Sequence, residues 1–283
     1  MKSSSTSRWP TQAWLGLVPF LAFALAFEVA PAMMLAKSAF TGEAGLSLSN
    51  FGRAMTPAVR SAFVNSLGLS LASAASGTVL GALVAHAIVT SRNAGVRHGL
   101  TALADVTANF GGAPLAFAFI ITLGSTGVVT LLLKQVGIDI YPSFRIYSIG
   151  GLAIAYVYFQ RPLAVLLMIP ALLGLRREWR EASVSLGARP LEYWRYVAIP
   201  ILRPSLLGCF FLLFANAFGA YATAWTLTGS AVNLVTVQIA ALVRGEVQLD
   251  PALADAIAVL SLVIMLSCVA AYQLLVRGRG ATT

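Results

Sequence analysis

Twenty residues of mixed chemistry, EASVSLGARPLEYWRYVAIP at positions 181–200, separate two long apolar stretches of the chain. The wider segment 176–203 holds nine charged residues among 28. Acidic residues near its start favour a helix, because negative charge stabilises the positive end of the helix dipole. Gly187 predicts an interruption, Pro190 suits the first turn of a second helix, and Pro200 predicts the end of that helix. We assign no catalytic residue. The pattern predicts a helix–turn–helix that docks into a groove of another protein.

The two predicted helices offer different faces. The second places Leu191, Trp194 and Val197 at three-residue spacing, which predicts an apolar stripe against the rest of the chain. The first has small residues that let its backbone approach a partner closely, and a carboxylate for a basic side chain across the contact. These residues are Glu181, Ala182, Ser183 and Gly187. An ordinary amphipathic hairpin is the alternative interpretation.

A second group of polar residues lies inside the apolar stretches. ADVTANFGGAPLAFAF places Asp105 and Asn109 beside two glycines and a proline. Backbone groups freed by such a break need protein or water partners, since lipid offers none. A break of this kind lines the pathway in many transporters. A packing kink with close helix contact through the glycines is equally consistent with the sequence.

Arg161 lies about fifteen residues into another apolar stretch. A guanidinium near the middle of a membrane is costly, so it should face a cavity or an acidic partner such as Glu28, Asp105 or Asp255. Structural pairing, contact with a solute and a misplaced span all stay open. FANAFGAYATAWTLTG adds further polar groups, two of them seven residues apart and near one helix face. The candidate pathway residues are Asp105, Asn109, Arg161, Asn216, Tyr221 and Thr223.

The elements that would position these residues are membrane spans. The chain has 58% hydrophobic and 10% charged residues and a mean hydropathy of +0.83, whereas a soluble domain is about 25% charged. Crossing a hydrocarbon core of about 30 Å takes about 20 apolar residues. Six such stretches are predicted near 13–36, 61–90, 100–124, 146–171, 204–228 and 252–276.

The net charge of +9 is spread through loops, which argues against a nucleic-acid partner. With a cytoplasmic N-terminus, twelve Lys and Arg residues lie inside, six lie outside, and Arg161 lies within a span. This excess follows the positive-inside rule, so both termini are expected in the cytoplasm. The first apolar stretch could imitate a secretory signal, but it is longer than a signal core and is expected to be an uncleaved span. Cys209 and Cys268 fall inside spans, and we assign them no disulfide and no metal.

The segment 181–200 resembles the cytoplasmic EAA loop of permease subunits in type I ATP-binding-cassette (ABC) importers. In that family a Glu-Ala-Ala start is followed by Gly six residues after the Glu, and by a hydrophobic-x-hydrophobic-Pro ending nineteen residues after it. The matching positions here are Glu181, Ala182, Ser183, Gly187, Ala188, Val197, Ile199 and Pro200. The departures are mild: Ser183 for the second Ala, Leu186 where an acid often stands, and Val197 and Ile199 for Ile and Leu. The resemblance extends over essentially the whole chain and is greatest to the spermidine/putrescine, ferric-iron and phosphonate branch.

The resemblance implies an all-α integral membrane fold with six transmembrane helices and the type I, MetI-like architecture. It implies a cytoplasmic segment 1–12, a permease domain 13–276 with a coupling loop 172–203, and a cytoplasmic tail 277–283. The implied location is the bacterial inner membrane, among membrane lipid. The implied partners are a cytosolic ABC ATPase dimer, a second permease chain, identical or similar, and an extracytoplasmic binding protein that delivers solute to short helices after the first and third spans.

The sequence contains no G-x-x-x-x-G-K-[ST] phosphate loop. The chain is therefore expected to bind no cofactor and to be no enzyme itself, with ATP used by the partner subunit. A secondary carrier driven by an ion gradient, using Asp105, Glu28 or Arg161, is the main alternative, and a membrane scaffold without transport is a third. Arg161 favours an anionic solute, such as a phosphonate or phosphate ester, while Asp105 and Glu28 favour a cation such as a polyamine. Ferric iron is a further class that the resemblance implies.

Overall fold

The computed structural model describes residues 12–42, 45–141, 143–246 and 248–277, and it is almost entirely helical. In these ranges, one antiparallel pair of two-residue strands joins β1 (Thr41–Gly42) to β2 (Gly45–Leu46). The predicted cytoplasmic segment 1–12 and tail 277–283 fall almost wholly outside the described residues.

Fourteen α-helices follow one another in the described ranges, with a π-helical turn at Leu25–Val29 and another at Trp194–Ala198. The α-helices are α1 (Gln12–Ala24), α2 (Ala30–Ala39), α3 (Ser49–Arg53), α4 (Pro57–Thr90), α5 (Ala94–Ala108), α6 (Gly112–Leu123), α7 (Val128–Gln135), α8 (Ile149–Leu173), α9 (Arg177–Ser185), α10 (Pro190–Tyr193), α11 (Ile199–Phe218), α12 (Tyr221–Thr228), α13 (Val235–Arg244) and α14 (Pro251–Arg277). The short helices expected after the first and third spans are α3 and α7.

Six segments in the described ranges are long and apolar enough to cross a membrane, which confirms the predicted number of spans. For the third, length and composition select Gly112–Gln135. A turn closed by the Gly127 amide on the Gly124 carbonyl at 2.9 Å divides that segment. We therefore assign the third crossing to α5 and α6 together, because a helix of 12 residues reaches only about 18 Å.

The core forms where α4, α8 and α11 pack together. Gly77 and Gly81 lie one turn apart on the buried side of α4 and let α8 approach closely. A Cβ on Gly81 would overlap that of Ala164, and a Cβ on Gly77 would lie 3.1 Å from the Gln160 Cβ. Small residues at this spacing are a common way to bring membrane helices together, because dispersion contacts replace the hydrophobic effect there.

A buried polar contact crosses the same helix pair. Gln160 on α8 is fully buried and donates from Nε2 to Ser73 Oγ on α4 at 2.8 Å. Ser73 Oγ in turn donates to the Ser70 carbonyl at 3.3 Å. Among the described residues, no donor reaches Gln160 Oε1. The contact fixes the rotation of α8 against α4, since neither amide nor hydroxyl has a lipid partner.

Candidate functional site

The loop between α8 and α11 folds into the predicted helix–turn–helix. Helix α9 ends at Ser185, and Gly187 adopts φ +78°, the left-handed conformation that glycine enters without steric cost. The Ala188 amide closes the turn on the Ser183 carbonyl at 3.0 Å. Pro190 then opens α10, and the Glu192 carboxylate accepts the Arg189 amide at 2.6 Å. Local sequence alone therefore builds this turn.

The residues singled out on α9 divide between two surroundings. Glu181, Ala182 and Gly187 are exposed, whereas Ser183 is buried against the chain itself and donates to the Arg180 carbonyl at 2.7 Å. Glu181 accepts Arg177 Nε at 2.8 Å, one helical turn away. Such an exposed pair stabilises the helix only weakly, so the carboxylate is free to exchange partners.

The apolar stripe predicted for the second helix is only partly correct. Leu191 is 78% exposed, so it does not lie against the rest of the chain. Tyr193 is buried in its place, and Trp194 packs edge-on against His86 of α4 with ring centroids 4.8 Å apart. Aromatic contacts of this kind add stability beyond the area they bury. They anchor the loop to the C-terminal end of α4 and leave Leu191 exposed. We call this end of α4 the inner end, because the distribution of Lys and Arg predicts that it faces the cytoplasm.

Pro200 does not end a helix as the sequence predicted. The chain continues from α10 through the π-turn at Trp194–Ala198 into α11 without a loop. A proline inside an α-helix removes one hydrogen bond and crowds the carbonyl four residues earlier. The wider π-turn just before Pro200 relieves this conflict, so Pro190–Phe218 forms one continuous helical segment.

An open groove of about 1100 Å³ lies between the loop and the inner ends of α4 and α8. Its wall is strongly basic, with Glu181 as an acidic member and Ser183 and Ala188 as small ones. The basic side chains of this wall are Arg92, Arg176, Arg177 and Arg180. The groove and the exposed face of α9 form one surface, which can accept an acidic partner.

The third and fifth spans are both broken, and their breaks lie together. The fifth span was predicted as one stretch, but it divides at Gly219 and Ala220 into α11 and α12. Thr223 Oγ1 on α12 donates to the Gly112 carbonyl at 3.3 Å, and Tyr156 Oη on α8 donates to the Ala220 carbonyl at 2.7 Å. Carbonyls beside both breaks thus accept hydrogen bonds from protein side chains, which suits backbone away from water.

The other intramembrane candidates do not form one cluster. Asn109 ends α5 and donates to the Asp105 carbonyl at 3.0 Å, while Asn216 is exposed on α11. Tyr221 stacks on Trp225 with ring centroids 6.0 Å apart, and the Arg244 guanidinium lies 5.4 Å from its ring.

Asp105 lies in a second, inner groove between α4, α5 and α8. This groove, of about 820 Å³, is also lined by Arg97, His98 and Thr101 of α5. Arg161 is not among its lining residues and is exposed elsewhere on α8. The structure therefore separates the two intramembrane charges that the sequence offered as a pair.

Sequence reasoning missed a polar network at the outer end of α4. The Asn233 side-chain amide donates to the Ala58 carbonyl at 2.8 Å, and the Asn233 backbone carbonyl accepts a hydrogen bond from Asn65 Nδ2 at 3.0 Å. Ser66 Oγ accepts the Val235 amide at 2.9 Å, which caps the start of α13. The signal was an Asn and a Ser side by side in an apolar span, which do not by themselves identify a partner 168 residues away.

No protein-family model matches the chain. Over 153 residues, 54% of the chain, it is 29% identical to the thiamine transport system permease protein ThiP of Escherichia coli (strain K12), and the match spans 28% of that relative. Over 178 residues, 63% of the chain, it is 24% identical to the probable sulfate transport system permease protein cysT of Helicosporidium sp. subsp. Simulium jonesii, and covers 64% of it. One chain in the crystal structure of a bacterial alginate ABC transporter, in complex with an alginate pentasaccharide-bound periplasmic protein, aligns over 92% of both chains with a TM-score of 0.73 at 16% identity.

The chain has the fold of a membrane-spanning chain of a bacterial ABC transporter. Its relatives are permease proteins, so the resemblance carried by residues 181–200 is confirmed at the level of the permease class. The chain spans just over a quarter of ThiP and less than two thirds of the sulfate permease. The comparisons give no support to the alternative of an ion-driven carrier.

Proposed function

We propose that this chain is the permease subunit of an ABC importer, which forms the translocation pathway for a small polar solute. In this proposal the loop 176–203 couples the pathway to a separate ATPase. The observation that carries it is the exposed α9–Gly187–α10 surface beside a basic groove, in a chain with the fold of an ABC transporter. Exposed Glu181, Ala182 and Gly187 form the contact surface, Ser183 and Ala188 shape the turn behind it, and Pro200 lies further along the helical segment that follows.

The proposed complex contains an ATPase dimer in the cytoplasm, a second permease chain and an extracytoplasmic binding protein. The distribution of Lys and Arg supports an orientation with α9 and α10 in the cytoplasm and α3, α7 and α13 outside. The relatives act on different solutes by name, thiamine and sulfate, so they do not define the solute here. Polyamines, phosphate or phosphonate esters and ferric iron stay the proposed classes, carried without a cofactor on this chain.

The pathway is proposed to run past the paired breaks of the third and fifth spans. Asn109 and Tyr221 lie at these breaks and Thr223 bridges them. Asp105 lines the inner groove, and Asn216 faces outward from α11 near the second break. Broken helices place polar backbone at membrane depth, where a solute needs replacement for its water shell.

The coupling role is tested by changing the exposed surface without changing the fold. Glu181→Lys reverses an exposed charge, and Gly187→Trp adds bulk where a Cβ would meet no atom within 4 Å. We expect each variant to reduce recovery of the ATPase with the tagged permease, or ATP-driven uptake, by at least about tenfold, since a buried contact loses a charged partner or its fit. Copurification from the native membrane and uptake into vesicles measure this.

Two controls separate docking from other effects. Gly187→Ala carries the same backbone strain, about 1–2 kcal/mol, without the bulk, and Glu246→Lys makes the same charge change at the other end of the molecule. Both should keep the ATPase bound. Normal assembly and uptake in Glu181→Lys and Gly187→Trp would refute the docking role, and gradient-driven uptake by this chain alone would favour a carrier.

A further inference from the structure

Arg161 occupies the middle of α8, as the thirteenth of its 25 residues. Its side chain is exposed on the surface of the chain rather than turned into the core. A guanidinium at this depth costs several kcal/mol in lipid. In the assembled transporter, water or a polar group must therefore face it.

Within the part of the chain that the structure describes, no acidic side chain pairs with Arg161. The ion pairs found in the described ranges join Arg53 to Asp250, Lys134 to Asp139, Arg177 to Glu181 and Arg244 to Glu246. The sequence offered Glu28, Asp105 and Asp255 as partners for Arg161, and the structure pairs none of them with it. Asp105 lines the inner groove, and Arg161 is not among the residues that line it. Glu28 lies on the first span, and no residue in the most apolar part of that span is buried within the described fold.

The neighbour of Arg161 is aromatic. Its guanidinium carbon lies 5.9 Å from the centre of the Tyr158 ring, and Tyr158 packs edge-on against Phe119 of α6 at 5.5 Å. A guanidinium over an aromatic face is held by cation–π attraction. None of the side-chain hydrogen bonds within the described ranges uses the N–H donors of Arg161, so they are available to a ligand. Helix α6, which holds Phe119, begins at the break of the third span.

These observations point to a ligand with oxygens that accept two parallel hydrogen bonds. Planar guanidinium groups match phosphate, phosphonate, sulfate and carboxylate oxygens in this way. We propose that Arg161, positioned by Tyr158, is a water-accessible anion-binding residue of the pathway, and that the solute carries an oxyanion group. This inference rests on the proposed function and narrows its solute classes to phosphate and phosphonate esters and other oxyanions, against polyamines.

The local charge can be measured with thiol reagents on the complete transporter, extracted with its partners. Val157 lies one turn before Arg161 on the same side of α8, and V157C is placed in a chain with C209S and C268S. We compare modification by the anionic reagent sulfonatoethyl methanethiosulfonate and the cationic trimethylammonioethyl methanethiosulfonate, each normalised to free cysteine. The anionic preference at V157C should fall on the order of tenfold when R161Q is added, as expected for one unit charge about 6 Å away, and should persist with R161K.

Two results would overturn the proposal. A reagent preference at V157C that R161Q leaves unchanged would mean that Arg161 does not set the local charge. A thiol at V157C that neither reagent reaches would mean that lipid or a second permease chain covers this face of α8. Copurification of the ATPase is scored in the same samples. Its absence would refute the proposed function, and its presence with either result above would refute only the anion site.

Uptake separates the solute classes directly. Vesicles with the complete transporter and its binding protein are offered sulfate, methylphosphonate or putrescine. ATP-driven uptake of an oxyanion that falls at least about tenfold in R161Q, and less in R161K, supports the site. ATP-driven uptake of putrescine at equal rates in the original chain and in R161Q overturns the anion site. The proposal that the chain belongs to an ABC importer is then kept.

Discussion

At the scale of single residues, the contact between Gln160 and Ser73 makes a directional prediction. Replacing Ser73 with Ala leaves the fully buried Gln160 amide without its acceptor. We expect S73A to lower the free energy of unfolding by about 1–2 kcal/mol, because a buried donor then pays its desolvation penalty. Q160L should stay within about 1 kcal/mol of the original chain, since Gln160 Oε1 already lacks a partner among the described residues.

Thermal unfolding of the purified chain in detergent measures both changes, and the double variant S73A/Q160L completes the cycle. The double variant should be more stable than S73A alone, because removing both partners leaves no unsatisfied amide. Equal and additive losses from the two single changes would show that the hydrogen bond does not couple the helices.

Some features of single residues could be predicted from the sequence and others could not. Gly187 was predicted to interrupt a helix, and it does so through a local property, its access to positive φ. The surroundings of Arg161 and the Asn233 network could not be predicted, because both depend on contacts between residues far apart in the chain. A single sequence specifies which residue is polar in a span but not which neighbour faces it.

At the scale of elements, the crossing of α4 and α8 predicts opposite effects for one substitution at two glycines. A Cβ at Gly81 would overlap Ala164, whereas a Cβ at Gly68 on the same helix would meet no atom within 4 Å. We expect G81A to cost about 1–3 kcal/mol by overpacking. G68A should be neutral or stabilising by up to about 1 kcal/mol, because Ala is the better helix former.

Both variants replace a glycine of α4 with alanine. The difference between their stabilities therefore measures the effect of the close contact between α4 and α8. Thermal unfolding in detergent and the yield of monodisperse protein provide the measurement. If G81A were as stable as G68A, the close approach of α4 and α8 would be wrong in detail.

Element boundaries were predictable where sequence signals agree and not where they conflict. Six apolar stretches predicted six spans, because hydrocarbon thickness fixes their length. Two glycines and a proline also predicted the break near Asn109. It missed the break at Gly219–Ala220, where a single glycine stands in an aromatic run, and it ended a helix at Pro200 that a π-turn carries onward.

At the scale of the whole molecule, the proposed orientation predicts which loops a reagent can reach. Glu246 and Ser185 are both exposed but lie at opposite ends of the fold. With Cys209 and Cys268 replaced by serine, an impermeant maleimide should label E246C in right-side-out vesicles and S185C only after detergent is added. This follows from the excess of basic residues on the α9 side. The reverse labelling pattern would show the opposite orientation in the membrane, in which α9 is out of reach of a cytosolic ATPase.

The helical segment Pro190–Phe218 also has a mechanical consequence. Its 29 residues contain no loop and span about 43 Å at about 1.5 Å per residue. One end is the turn at Gly187 and the other is the break beside which Tyr156 bonds the Ala220 carbonyl. Such a segment acts as a lever, because a tilt imposed at its Gly187 end displaces its far end by an amount proportional to its length. A displacement of α9 and α10 is therefore transmitted, without an intervening loop, to the point where the fifth span opens its backbone.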